Sequence, residues 1–347
     1  MMLENTIRRS RRIIESIRPV WWGILFLGAV TFFMVNTASS FHIFVFNSIL
    51  LTVMGAIALQ VLQGTTGLFS VGNAAFLMVG ALSAVFSLGV GIKFPFDLIS
   101  AALFTGLCGF IVGLPALRLK GLFLIFSTLA AHFIFFFFAS RYQGLKTETA
   151  AAGFSVPMLF KSNPEHISQY WAWMLFGIVS IVLLGATRIV RERSGRALRM
   201  IREHEHIAPT LGIPVAKYKL QIFVISSMLL GFQGALIPHL NGVVSIDNFP
   251  ITLAFSYILI IVIGGLDSIA GAFIGSVVII GLPILVPTLV KFVKPEGLDP
   301  TVGSNISLML YGVIVIFFVV VSPQGIMGVL RSLTNKTKSV WASRSKQ

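Results

Sequence analysis

Small and uncharged polar residues crowd one stretch of this sequence, between long apolar runs. The stretch from Gly64 to Ala81 reads GTTGLFSVGNAAFLMVGA, and Gln60 and Gln63 precede it. Its glycines permit non-helical backbone or very close helix approach. Its hydroxyl and amide groups offer uncharged hydrogen bonds. The stretch therefore has the composition of a surface that hydrogen-bonds a passing solute, without charge.

Two interpretations of this stretch stay open. Irregular backbone at membrane depth is tolerated only where protein covers it or where it lines a watery cavity, so a broken helix beside a permeation path is one. Close packing of helices through small residues, with the Ser and Thr side chains satisfied locally, is the other. On the first interpretation the candidate path residues are Gln63, Gly64, Thr65, Thr66, Gly67, Ser70, Gly72, Asn73 and Phe76.

Residues for ion coupling or catalysis are sparse. Proton- and ion-driven carriers usually place a carboxylate at membrane depth, but Asp97 and Asp267 stand near the ends of apolar runs, and His132 and His239 are isolated. Neither an H-E-x-x-H metal motif nor a G-x-x-x-x-G-K-[ST] phosphate loop occurs. We predict no catalytic residue, no metal site and no cofactor on this chain, so ATP-driven work would need a separate subunit.

One long polar segment, Arg188–Lys219, interrupts the apolar sequence with eight Lys or Arg residues and three Glu residues. Ser194 can cap a helix there, and Pro209, Gly212 and Pro214 limit its length. One helix face collects Ala197, Met200, Ile201, His204 and Ala208. This face could enter a groove on a soluble partner or lie on lipid headgroups, and Glu203 and Glu205 favour the protein partner.

The composition places these features in a membrane protein. Hydrophobic residues make up 56% of the 347-residue chain and charged residues only 11%, against about 25% charged in soluble domains. The single cysteine, Cys108, excludes an intrachain disulfide. At about 20 residues a span, the apolar runs predict about ten transmembrane helices: 21–36, 43–62, 68–88, 94–117, 122–140, 170–189, 220–240, 251–264, 270–290 and 306–321.

The basic residues predict the orientation, because cytoplasmic loops carry the excess of Lys and Arg. With the N-terminus inside, 20 of the 26 basic residues lie on the cytoplasmic side. Both termini and Arg188–Lys219 are then cytoplasmic, and the net charge of +14 fits attraction to anionic lipid. Nucleic acid is not an expected partner, since no nucleic-acid motif accompanies these residues. The Arg-rich start before Trp21 resembles a signal peptide, but a retained first helix is the preferred interpretation.

The predicted organisation has three parts: a basic N-terminus at 1–20, a transmembrane domain at 21–330 and a basic tail at 331–347. Within the transmembrane domain, 141–169 forms an outer loop and 188–219 a cytoplasmic segment. A second glycine-rich stretch, Gly264–Gly275, joins two spans in the way that Gly64–Gly72 does. The six-span shift between them suggests a weak internal repeat of the kind transporters use.

Three of these stretches resemble permease subunits of ATP-binding-cassette importers of the branched-chain amino-acid type. They are G-x-x-G-x-x-S-x-G-x-A-A-F-x-x-x-G-A from Gly64, S-G-R-A-L-x-x-I-R-E-x-E-x-x-A-x-x-L-G-I from Ser194, and the stretch from Gly264 to Gly275. The sequence departs from the family pattern at Thr65, Thr66, Asn73 and Asp267 and after the fifth span, which leaves the solute open among branched-chain amino acids, urea, amides and other small molecules.

The resemblance implies partners and site residues. It implies P-loop ATPase subunits, a homologous second permease, an extracytoplasmic solute-binding protein and a small-molecule solute. The segment that couples to the ATPase maps onto Arg196, Ile201, Arg202, Glu203, Glu205, Ala208 and Gly212. Three alternatives remain: a secondary transporter of a small polar solute, which would need an ion-coupling carboxylate; a polytopic membrane enzyme; and a structural or signalling subunit.

Overall fold

The protein is a bundle of α-helices with one short antiparallel strand pair. The computed structural model describes residues 2–117, 119, 121–146, 153–157, 159, 164–266, 268–293, 309–310, 312–313, 316–317 and 325–328. The α-helices of the described part are α1 (Met2–Thr37), α2 (Ser40–Leu59), α3 (Asn73–Gly89), α4 (Phe96–Ala116), α5 (Leu122–Lys146), α6 (Pro164–Arg191), α7 (Arg193–Glu203), α8 (Val215–Asn241), α9 (Ile251–Gly264) and α10 (Ile269–Val293). Strand β1 (Phe154–Ser155) pairs with β2 (Val243–Val244).

Seven helices in the described part are long and apolar enough to cross a membrane. Two shorter apolar helical stretches, Asn73–Gly89 and Ile269–Ile284, accompany them. The prediction of a helical polytopic membrane protein is therefore confirmed, while the number ten stays a prediction. Most of the tenth predicted span (306–321), the tail 331–347 and Asp267 lie outside the described residues.

Several helices extend beyond the spans that hydropathy predicted. Helix α1 begins at Met2, α5 ends at Lys146, and α6 runs from Pro164 to Arg191. Residues at both ends of the predicted outer loop, 141–169, are therefore helical, and its position outside the membrane stays a prediction. Hydropathy marks the part of a helix at membrane depth, whereas backbone hydrogen bonds continue the helix into polar residues.

Helix α2 lies at the centre and is the most deeply buried of the long apolar helices. Helix α8 packs against α3 and α4 along much of its length. Glycines permit this closeness: a Cβ at Gly80 of α3 would lie 2.2 Å from the carbonyl oxygen of Gly231 in α8. A Cβ at Gly234 would likewise lie 2.1 Å from the carbonyl oxygen of Leu77. The small-residue packing predicted for this region therefore does occur.

The two glycine-rich stretches interrupt helices and meet each other. Helix α2 continues through a π-helical turn, Gln60–Gly64. The backbone is irregular at 67–72 before α3 begins at Asn73, five residues later than the predicted third span. The amide of Gln60 donates to the carbonyl of Leu266, which lies between α9 and α10. A Cβ at Gly64 would approach that same carbonyl oxygen within 2.2 Å, so this contact requires glycine.

Candidate functional site

Local hydrogen bonds stabilise the break between α2 and α3. The hydroxyl of Thr65 donates to the carbonyl of Val61 at 2.5 Å, and that of Thr66 to the carbonyl of Leu62 at 2.5 Å. The Thr66 hydroxyl also accepts from the backbone N–H of Leu68 at 3.2 Å. Where the helix ends, the threonine hydroxyls thus act as hydrogen-bond donors to backbone carbonyl groups. The break and the locally satisfied side chains occur together, so features of both interpretations are present.

Buried amide side chains surround this break. The amide of Gln63 donates to the carbonyl of Ser70 at 3.1 Å, and that of Asn73 donates to the carbonyl of Ala254 at 3.2 Å. The side-chain oxygens of Gln60, Gln63 and Asn73 are buried and have no hydrogen-bond partner among the described residues. An unsatisfied buried acceptor costs about 1–3 kcal/mol. These three buried oxygens are therefore acceptors that no described residue uses.

The polar segment Arg188–Lys219 folds into α7, a 3₁₀ turn (Ala208–Leu211) and the start of α8. The prediction that Ser194 caps the helix was wrong. Glu192 occupies the N-cap position, because α6 continues to Arg191, and the Ser194 hydroxyl donates to the carbonyl of Ile189 at 3.2 Å. Gly195 is needed at this tight junction, since a Cβ there would lie 2.0 Å from the carbonyl oxygen of Val190.

The buried face of α7 packs on the protein's own helices. Leu198 is buried in the main core, and Ile201 and Ala208 are also buried. The predicted apolar face is therefore covered only in part: Ala197 and Met200 are half-buried, and His204 is exposed. The exposed part of the segment includes the polar side chains of Arg196 and Glu203, and also Gly212.

Two exposed apolar residues in this surface were missed by the sequence analysis. Ile207 is 50% exposed and Leu211 is 63% exposed. Ile207 precedes the 3₁₀ turn and Leu211 ends it, and the chain then turns at Gly212, whose φ of +76° favours glycine. Their spacing could have identified them in the sequence. The two apolar residues stand four positions apart, beyond the end of the helical pattern and between polar neighbours.

Two polar contacts join α7 and the residues after it to the membrane helices. The Arg202 guanidinium donates from Nη1 to the carbonyl oxygen of Gly64 at 2.5 Å. The buried ammonium of Lys219, in the first turns of α8, lies 2.8 Å from the carboxylate of Glu205. The segment is thus bonded directly to the helix break and to α8.

A cavity of about 330 Å³ lies between these groups. Of the nine candidate path residues, Thr66 and Gly67 border this cavity, and the other seven are buried within the chain. Of the seven candidate coupling residues, Ile201, Arg202 and Glu205 border it. The complete lining is Thr66, Gly67, Leu68, Phe69, Leu119, Gly121, Leu124, Ile125, Ile201, Arg202, Glu205 and Lys219.

A buried pair away from this cavity was also missed. His239 Nε2 lies 2.5 Å from Asp97 Oδ2, and both residues are buried. The description of His239 as isolated was therefore wrong. The two residues are 142 positions apart on α4 and α8, so no local pattern could have linked them. His132 is buried too, and its Nδ1 has no partner among the described residues.

A bundle of apolar helices, seven of which in the described part are long enough to cross a membrane, defines a multi-pass membrane protein. The model of the family described as branched-chain amino acid transport system / permease component matches residues 41–319. The chain belongs to that family, which confirms the resemblance and a multi-pass location in the cell inner membrane. Its relatives are transport subunits.

The relatives share modest identity over long stretches. The high-affinity branched-chain amino acid transport system permease protein LivM of Salmonella typhimurium is 23% identical over 299 residues, covering 79% of this chain and 67% of the relative. The probable LivM permease of Methanocaldococcus jannaschii is 24% identical over 245 residues, 69% of each chain. The probable LivH permease of the same organism is 30% identical over 156 residues, 44% of this chain and 46% of the relative. No solved structure matches the chain significantly.

Proposed function

We propose that this chain is the membrane-spanning permease subunit of an ATP-binding-cassette importer, energised by separate ATPase subunits. Its solute is a small molecule, with a branched-chain or other amino acid as the first choice because of the relatives' names. The observation that carries the proposal is the contact of Arg202, in the exposed segment, with Gly64 at the helix break.

The mechanism follows from this contact. One of two P-loop ATPase subunits binds the exposed surface around Glu203, Ile207 and Leu211, on the cytoplasmic side. When ATP closes them, α7 moves, and Arg202 transmits the movement to the carbonyl of Gly64. The Glu205–Lys219 pair transmits it to α8. The break then changes the access of the path, whose polar groups hydrogen-bond the solute.

The remaining partners complete the importer in this proposal. A homologous second permease forms the other half of the membrane core. A solute-binding protein delivers the solute on the outer side, where 141–169 and the strand pair lie. The termini, including 1–20 and 331–347, are cytoplasmic and contact anionic lipid.

Co-purification tests the assembly. Tagged chain in mild detergent should recover a P-loop ATPase, identified by mass spectrometry. Glu203→Lys combined with Gly212→Val should lose it, because the first reverses an exposed charge and the second strains a backbone with φ of +76°. Arg199→Glu, a charge reversal at another exposed position of α7, is the matched control and should retain it. Recovery of the ATPase with the double variant contradicts this surface.

A secondary transporter is the second candidate, and Asp97 is the observation that favours it, since a buried carboxylate at a membrane helix is what ion coupling requires. However, His239 closes this carboxylate off, and Asp97 does not border the cavity of the site. Uptake of solute into vesicles that contain the chain alone, driven by an ion gradient without ATP, would establish this alternative.

A further inference from the structure

The buried pair Asp97–His239 lies outside the machinery described above. Asp97 is 0% exposed and His239 is 2% exposed. The pair joins the first turn of α4 to the last turn of α8, and the ring of Phe94 packs edge-on against the imidazole with centroids 5.9 Å apart. A carboxylate and an imidazole at this depth lose most of their hydration, so each depends on the other for a partner.

The pair stabilises the last turns of α8, where the helix has fewer backbone hydrogen bonds of its own. Pro238 lies inside the last turns of α8 and has no N–H to donate, so one backbone hydrogen bond is missing there. His239 is the next residue, and its bond to Asp97 fixes the turn that follows the proline. Replacing such a pair by apolar residues often keeps stability, whereas the directional bond specifies one arrangement of the two helices.

The two ends of α8 carry different contacts. Near its start, Lys219 is paired with Glu205 of the segment proposed to couple to the ATPase. About 30 Å further along, at 1.5 Å per residue, His239 is paired with Asp97. Directly afterwards, the Gly242 carbonyl accepts from the N–H of Val156 at 2.8 Å, and β2 pairs with β1. Helix α8 is therefore the continuous element between the exposed segment and the strand pair at the other end.

We propose that Asp97 and His239 are positioning residues that register α8 against α4, so that movement of the coupling segment reaches the β1–β2 strand pair. This inference rests on the proposed function. Without the pair, α8 still packs against α4, but the turn after Pro238 no longer follows the movement of the helix start. Movement is then lost before it reaches β2, and ATP hydrolysis no longer produces import.

The test uses Asp97→Val combined with His239→Leu, which removes both polar groups while keeping similar volumes. Membrane abundance and co-purification of the ATPase should be retained. Uptake of radiolabelled leucine by whole cells should fall by roughly tenfold, within the range of coupling between distant sites. The reversed pair, Asp97→His with His239→Asp, should restore much of the uptake. His132→Leu is the matched control for a buried histidine and should keep wild-type uptake.

A second readout separates transmission from general damage. Val243 of β2 is 50% exposed, and the native Cys108 is buried, so a thiol reagent labels Val243→Cys selectively. A non-hydrolysable ATP analogue added to the co-purified complex should change the labelling rate with the native pair. With Asp97→Val and His239→Leu, the rate without nucleotide should persist, and the response to nucleotide should be lost.

The outcomes are distinguishable. Wild-type uptake together with a normal labelling response in the abundant double variant overturns the positioning role. If the double variant fails to insert, the reversed pair alone decides: its uptake and nucleotide response support the role when present and contradict it when it inserts without them. If the wild-type chain recovers no ATPase, the proposed function fails, whatever the pair does.

Discussion

Arg202 is the residue on which the coupling proposal depends most. Its guanidinium donates to the carbonyl of Gly64, at a helix break where only glycine fits against the carbonyl of Leu266. A hydrogen bond from a charged group contributes about 1.5–3 kcal/mol. The neighbouring pair of Glu205 and buried Lys219 holds the same segment to α8.

Loss of this contact should uncouple transport from ATP hydrolysis. Arg202→Gln removes the charge, and we expect solute uptake to fall by about tenfold or more, in proportion to a lost charged hydrogen bond. Basal ATP hydrolysis by the co-purified complex should persist, because the ATPase itself is unchanged. The ratio of solute uptake to ATP hydrolysis, measured in the same preparation, checks this prediction.

Two further variants complete this experiment. Arg202→Lys keeps one charged donor and should recover part of the uptake. Arg199→Gln removes an exposed arginine from the same helix and is the matched control. Equal uptake by the wild type and Arg202→Gln would remove Arg202 from the path of transmission.

At the scale of elements, close helix crossings position the break. Helices α3 and α8 approach through Gly80, Gly231 and Gly234, which leaves the start of α3 next to α9. Overpacking such a contact costs about 1–3 kcal/mol. The exposed segment and the break keep their geometry only while these helices stay close.

A methyl group at this crossing should therefore destabilise the protein. For Gly80→Ala we expect a loss of about 1–3 kcal/mol, seen as a lower midpoint of thermal unfolding in detergent. Gly89→Ala, at the end of the same helix, is the control, since a Cβ there meets nothing within 4 Å. Unfolding midpoints that match in the two variants would show that α3 and α8 are further apart than described.

The strand pair gives a second prediction for the elements. Ser155 and Val243 are paired across β1 and β2, and paired Cβ atoms lie about 4.5–5.5 Å apart, close enough for a disulfide after a small adjustment. Oxidation of Ser155→Cys combined with Val243→Cys should fix the strand pair and stop uptake, and reduction should restore it. Each single variant serves as a control for the substitution itself. Full uptake by the oxidised protein would show that transport needs no movement of β2 relative to β1.

The sequence predicted most of the fold at this scale, because apolar runs identify membrane helices and glycine stretches identify breaks. The eighth span, 251–264, agrees with α9 in both bounds. Helices α5 and α6 run past the predicted spans 122–140 and 170–189, since backbone hydrogen bonding continues through the polar residues there. Arg202 was selected through its family resemblance, but its partner Gly64 and the Asp97–His239 pair depend on contacts between distant residues, which periodicity does not reveal.

For the whole molecule, we propose one subunit of a larger transporter. The family assignment identifies the permease class. The described apolar helices supply the membrane part. In our proposal, the exposed surface around Glu203, Ile207 and Leu211 binds the ATPase, whose movement reaches the helix break through Arg202. The central claim is that solute crosses the membrane through this chain only when ATP is hydrolysed by a bound partner.

The most direct test is leucine uptake into vesicles that contain the chain together with its co-purified partners. We predict uptake that requires ATP, is abolished by an inhibitor of ATP hydrolysis, and is lost when Glu203→Lys and Gly212→Val release the ATPase. A dissipated ion gradient should leave the uptake unchanged. Uptake by the chain alone, driven by an ion gradient and independent of ATP, would contradict the account and establish a secondary transporter.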